Sequence, residues 1–317
     1  MLFSACETDF DVNAEWEETT VVFGLLDASD ENQLQKIKIS KAFLGNMDAY
    51  QMAQYSDSIN YGVDELDVKI YKWDFNQIED SVELIAVPTY RDGEIFYDSI
   101  IVYQFDNVNS FLQKGYEYEL VVKNNKSGNL VSSRTEIVTG FDFDNIFTTK
   151  SKSFQFGLYT NNDFSSSTIT WDDSNDNGKI YQLDLIFHYT EIMDGVYTED
   201  SLIYSLPLID DTESKMKIEG NSFFNFLALN LDKNQSVIRY FNEIDMIMTV
   251  GSEDLETYIN VNKPITGIVQ ERPQFTNINN GIGLFSSRFK KIRLDYDLTS
   301  STLDYLKSVD GLDRNFQ

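Results

Sequence analysis

Leu112-Gln-Lys-Gly115-Tyr116-Glu-Tyr118-Glu-Leu120-Val-Val122 runs through Lys123 into Asn124-Asn-Lys-Ser-Gly128. Period-two alternation places Tyr118, Leu120 and Val122 on one face of a strand, which is the pattern of a half-buried sheet. The Asn, Ser and Gly that follow favour a tight turn, since they tolerate left-handed backbone or bond their own chain. The segment therefore reads as the first arm of an antiparallel hairpin, with 130–138 as the second. Outward from it, strand-like runs cover 20–26, 35–40, 66–73, 81–87 and 99–105. Seven short strands before Gly140, at this spacing, predict a β-sandwich. A helix is expected over 46–55, behind Asn46 as its cap.

A glycine, a tyrosine, alternating apolar residues and a Gly-bearing turn resemble the last hairpin of fibronectin type III and immunoglobulin-like sandwiches. The resemblance implies a tyrosine at the corner, Tyr116 or Tyr118, whose hydroxyl bonds the backbone upstream. The alternative is an ordinary antiparallel hairpin. Residues 140–153 read as a junction. Beyond them a second β pattern holds Phe154–Tyr159, Thr168–Trp171, Lys179–Tyr189, Ser201–Leu208 and Ile244–Val250. Helices are expected over 221–231, capped by Asn221 or Ser222, over 252–261, capped by Ser252, and over 299–309. The expected architecture is mainly β: an acidic tether at 1–16, then two immunoglobulin/fibronectin-III-like sandwich domains at 17–146 and 147–317. The second domain carries the helical insertions.

The chain has 317 residues, with 52 acidic and 25 basic side chains, so its formal charge is −27. A surface of that sign argues against nucleic acid, whose phosphates need a basic face, and against docking on anionic lipid. It attracts divalent cations and basic partners. Apolar types make up 42% of the residues, which excludes a disordered chain. One cysteine, Cys6, excludes an internal disulfide, and one histidine, His188, excludes a multi-histidine metal site.

Cys6 follows Leu2-Phe3-Ser4-Ala5 and precedes Glu7, Asp9 and Asp11. Small residues before a lone cysteine resemble the lipobox that ends a bacterial lipoprotein signal. The acidic residues after it resemble the export signal of Bacteroidota surface lipoproteins. Phe275-Thr-Asn-Ile-Asn-Asn-Gly281-Ile-Gly283-Leu-Phe285-Ser-Ser287 resembles a C-terminal signature of the same outer-membrane lipoproteins. The resemblance implies an acylated Cys6, a lipid-anchored place at the cell surface and a non-enzymatic binding or assembly role, for some members beside a TonB-dependent transporter. An adhesin or a structural part of an envelope or secretion complex is the alternative, and a glycan-active hydrolase the second. No catalytic residue is implied. Read by itself, the Gly281/Gly283 segment lacks the Lys-Ser/Thr of a phosphate loop and reads as a tight loop entering a strand.

The sharpest local motif is Asp173-Ser-Asn175-Asp-Asn177-Gly178, with Asp184 at its twelfth position. Oxygen donors at alternate positions around a glycine suit Ca²⁺, and Asp173, Asn175, Asn177 and Asp184 are its expected ligands. Strand-like flanks and a short Asp at position twelve count against an EF-hand, and a polar turn between strands is the competing reading. His188 is expected on an exposed strand face, opposite Tyr181, Leu183, Leu185 and Phe187. Among the many aromatics, Tyr71 and Trp73 are the expected surface binding residues, while most of the rest are expected to fill the cores.

Overall fold

The computed structural model describes residues 19–29, 34–42, 59–90, 99–144, 152–157, 163–172, 177–210, 214–264 and 274–317. The expected helix at 46–55, the tether and Cys6 lie outside these residues. Strands in chain order are β1 (Thr19–Asp27), β2 (Leu34–Ala42), β3 (Leu66–Asp74), β4 (Gln77–Glu83), β5 (Ile85–Tyr90), β6 (Ser99–Asp106), β7 (Glu117–Asn124) and β8 (Leu130–Glu136). They continue with β9 (Ser153–Phe154), β10 (Ser166–Thr170), β11 (Ile180–Met193), β12 (Val196–Ser205), β13 (Ile209–Asp210), β14 (Lys215–Glu219), β15 (Ile238–Gly251) and β16 (Gly281–Leu298). The helices are α1 (Gly220–Asn230), α2 (Glu253–Asn262) and α3 (Ser300–Lys307), close to the three spans expected from the sequence.

The strands form a large sheet in the order β12-β11-β15-β16-β1-β2-β6-β5, a second sheet β4-β3-β7-β8, and the pair β10-β14. The alternation in β7 works as expected: Tyr118, Leu120 and Val122 are buried in the core that the second sheet shares with β1, β2 and β6. The expected strand over 81–87 is two strands. At Leu84 the chain leaves the small sheet, where β4 pairs β3, and enters the large one, where β5 pairs β6. The buried Leu84 donates its N–H to Val68 O at 2.9 Å, so the crossing leaves no orphaned amide there.

Two hydrophobic cores meet between Ile137 and Val138. The first holds residues from Val22 to Ile137, together with Ile278 and Phe285; the second holds Val138 to Phe316. The large sheet nevertheless runs through both. The first part of β16 lies parallel to β1 (Val22 opposite Gly283), and its second part is antiparallel to β15 (Val250 opposite Phe289). The expected units 17–146 and 147–317 therefore share a strand rather than stacking as two closed domains. The second core is also covered differently from a two-sheet sandwich. Over the inner face of β11, β15 and β16 lie the β10-β14 pair and helices α1 and α3, contributing Ile169, Met216, Phe223, Leu227 and Leu306.

One helix start differs from expectation for a steric reason, and one expected cap bonds elsewhere. Gly220, not Asn221 or Ser222, opens α1 directly from β14, and its amide bonds Ser165 O at 2.9 Å. A Cβ at Gly220 would lie 2.4 Å from Phe156 O, so only glycine fits. Ser252 does precede α2, but its hydroxyl bonds Ser286 in β16 instead of capping the helix.

Of the two tyrosines expected to bond the backbone upstream, Tyr118 does so. Its hydroxyl donates to Phe111 O at 2.8 Å and accepts from Gln113 N–H at 2.7 Å, while burial pushes its pKa up to about 12. Tyr118→Phe orphans a donor and an acceptor inside the fold, so an expected loss of about 1–3 kcal/mol follows in urea unfolding. A loss under about 0.5 kcal/mol would show that water replaces the phenol without penalty.

Glu65 ends the loop before β3. Burial alone would raise its carboxyl pKa, but the Gly62 N–H (3.0 Å), Lys126 (2.9 Å) and Lys41 (3.8 Å) outweigh that and hold it below the usual range. A carboxyl depressed in the folded state stabilises above its unfolded pKa and loses that contribution as pH falls through the folded value. Glu65→Gln should therefore flatten the acid limb of stability below about pH 4.5. An acid limb identical to the parent's would refute the assignment.

Candidate functional site

Side chains of β11 alternate between the two faces of the large sheet. Tyr181, Leu183, Leu185 and Phe187 are buried on the inner face, and His188 lies on the outer face with 31% of its side chain exposed. This is the placement that the period-two pattern predicts. The partners of the histidine come from elsewhere. Its Nε2 is 2.9 Å from Asp245 Oδ2 on β15. Opposite, β16 bulges: Ile244 pairs Tyr296 and Met246 pairs Arg293, leaving two β16 residues against Asp245. Asp295 takes a left-handed conformation there (φ 62°) and donates its N–H to Asp245 Oδ1 at 3.2 Å.

The ring and the bulge amide thus hold both oxygens of Asp245. Glu243, Asp245 and Asp295 bring one carboxylate oxygen each to within 4.8 Å of one another. Three carboxylates are an all-oxygen donor set of the kind that hard divalent cations take, while the imidazole touches Asp245 by its hydrogen bond and stands outside the group. Sequence reasoning left these residues apart. They are separated along the chain, and only the β11/β15 register and the bulge in β16 bring them together. The one available signal was a lone histidine on an outward strand face.

Of the four expected calcium ligands, Asn177 and Asp184 are among the described residues. Asp173 and Asn175 lie outside the described residues. Asn177 donates its side-chain amide to Glu136 O at 3.1 Å. Asp184 sits inside β11, opposite Ser205 and Ile247. At about 3.3 Å per residue it lies some 13 Å along the strand from Ile180, out of reach of a closing loop.

Tyr71 and Trp73 share the outer face of the second sheet, as alternation requires. Trp73 is not a bare platform. Its Nε1 donates to Glu119 at 2.9 Å, and the Arg134 guanidinium lies 4.2 Å from its ring centroid. Arg134 is paired in turn with Glu119 (3.3 Å) and Glu117 (3.5 Å). Beside this ladder a cleft of about 300 Å³ is lined by Glu117, Arg134, Glu136, Asn177, Glu253 and Asp254. Asp254 is held by the Asn277 amide at 2.8 Å. The cleft is acidic, and its arginine is already engaged.

The outer face of the large sheet differs on its two sides. Toward β1 it is covered by α2, with Tyr258 edge-on to Phe23 at 5.9 Å and Leu255 over Gly251. Toward β12 no described element covers it. Ile203 faces Ile186, and Ile247 faces Ile292; between the two pairs Ile186 lies opposite Asp245 and Ile247 opposite Asp184, so the isoleucines of β11 and β15 meet only on the diagonal. At the hairpin tip Met193, Val196 and Tyr197 are exposed. A search against models of known protein families finds no match to this chain, and a search of curated proteins finds none either.

Proposed function

We propose that the chain is a lipid-anchored, non-enzymatic binding or assembly component of an outer-membrane surface. The observation that carries the reading is the apolar pairs Ile203–Ile186 and Ile247–Ile292 on the outer face toward β12, which no described element covers. A chain of net charge −27 repels copies of itself and stays dispersed, so apolar surface left on one side favours a different protein as its cover. Cys6, in its lipobox-like setting, supplies the anchor: each buried CH₂ of an acyl chain adds about 0.8 kcal/mol of membrane affinity. The Tyr118 bond and the first core support reading the first half as immunoglobulin-like, a scaffold that carries binding surfaces on many unrelated proteins.

Two measurements in native envelopes test this. Mass spectrometry of the N-terminal peptide should find Cys6 acylated. A photo-crosslinking amino acid at position 186 or 247 should give adducts with an envelope protein, and one at position 71 should not. A bare Cys6 together with no adduct from 186 or 247 would overturn the proposal.

A further inference from the structure

β12 is an edge strand: β11 lies on one side of it, and no strand on the other among the described residues. Exposed edges are normally blunted by proline, lysine, bulges or short length. Two other edges of this protein follow that rule. β5 carries Pro88, and β4 is seven residues long with Glu79, Asp80, Glu83 and a bulge against Lys72/Trp73. β12 is ten residues long, holds no proline or lysine, and keeps one unbroken register with β11.

The hairpin register says which groups are free. Met193 pairs Val196 around Asp194-Gly195, both with positive φ (52° and 79°), the signature of a two-residue type I′ turn. The closing pair of such a turn is hydrogen-bonded, so Val196, Thr198, Asp200, Leu202 and Tyr204 turn their N–H and C=O toward β11. Tyr197, Glu199, Ser201, Ile203 and Ser205 turn theirs outward. One outward amide is held locally: Ser201 N–H donates to Asp200 Oδ1 at 2.7 Å.

Charge selects what can pair there. From Ile180 to Ser214 the sequence has eight Asp or Glu and no Lys or Arg. A second copy is a poor occupant. Antiparallel self-pairing has to match outward residues with outward residues: centred on Asp200 it sets that carboxylate opposite its own copy, and centred on Ser201 it sets Glu199 opposite Ile203 while bringing together two chains of charge −27. Parallel self-pairing sets acid directly on acid, and like charges across a pair destabilise it.

We propose that β12 accepts, by strand addition, an extended segment of another protein that alternates apolar residues and carries Lys or Arg opposite Glu199 and Asp200. The inference rests on the binding role proposed above and names its partner's chemistry. The main chain of the segment bonds the outward groups of Tyr197, Glu199, Ile203 and Ser205. Its apolar side chains extend the row begun by Ile203 and Ile186. Its cation draws Asp200 away from Ser201 and frees that amide for the ladder, so basic sequence is selected as well as strand shape.

The test uses the full chain and two acetylated ten-residue peptides that alternate valine and threonine, one with arginine at its two central positions and one with glutamate there. The arginine peptide should slow hydrogen exchange at Glu199, Ser201 and Ile203 about tenfold or more, and bind more weakly in high salt. The glutamate peptide should do neither. The double variant Glu199→Lys/Asp200→Lys should reverse the preference, and Ile203→Pro should weaken the arginine peptide without changing the circular dichroism of the chain. Equal protection by both peptides, protection by neither, no reversal by the charge swap, or a concentration-dependent dimer built through β12 would each overturn strand addition. Crosslinks from positions 186 and 247 surviving such a failure would keep the binding role while removing this mode. Their loss alongside a bare Cys6 would remove the role itself.

Discussion

Gly283→Ala is expected to destabilise the protein by about 4 kcal/mol, the sum of a left-handed backbone forced on a residue with a Cβ and of overpacking. Gly283 has φ 119°, and a Cβ there would sit 1.9 Å from Val22 O and 2.9 Å from Val22 C. Those atoms are backbone of β1 and cannot swing aside as a side chain would. Gly115→Ala is the control. It has φ 87° but nothing within 4 Å of its Cβ position, so strain alone should cost about 1–2 kcal/mol. Urea unfolding followed by tryptophan fluorescence measures both. The two halves should melt in one transition in each variant, because β16 takes part in both cores. Equal losses for the two variants, or a transition split by Gly283→Ala, would refute the close approach of β1 and β16 as the joint of the fold.

The second large effect is expected at a buried ion pair. The Arg239 side chain is only 3% exposed, and its Nε donates to Glu191 at 2.8 Å, with Glu191 30% exposed. Its Nη1 donates to Asp232 O and Arg314 O at 3.0 and 2.8 Å. Removing the carboxylate leaves a guanidinium inside the protein without a counter-charge, and breaking a buried pair in that way costs about 3–5 kcal/mol. Removing the cation leaves Glu191 near enough to water to hydrate, and Arg239→Met keeps much of the packing. Its cost is the loss of the carbonyl bonds, about 1–3 kcal/mol. The expected order is therefore Glu191→Ala worse than Arg239→Met, read from urea midpoints at neutral pH. The reverse order would mean that the carbonyl cage, and not the ion pair, needs the arginine.

Much of the architecture was legible because its signals are local. The tyrosine of the hairpin, the outward face of His188 and the three helix spans each follow from a period or from a few neighbouring residues. The candidate cation group was not legible, because Glu243, Asp245 and Asp295 acquire a shared location only from cross-strand register and from one extra residue in β16. The Asp173–Asp184 spacing pointed to one loop, whereas Asp184 belongs to a strand that begins at Ile180. Trp73 looked available in sequence, yet Arg134, a residue of another strand, lies over its ring.

The amino-acid order alone determined that this is a mainly β, strongly acidic protein with helices in its second half, since alternation, turn residues and charge act over a few positions at a time. Tertiary structure alone decided that both cores hang on one sheet, that the only histidine meets Asp245 beside two further carboxylates, and that β12 is an acidic edge among the described residues. Each of those depends on which strands become neighbours. Pairing joins residues up to 261 positions apart, as in the Asp27–Arg288 contact between β1 and β16, and no short-range pattern encodes a partner at that distance.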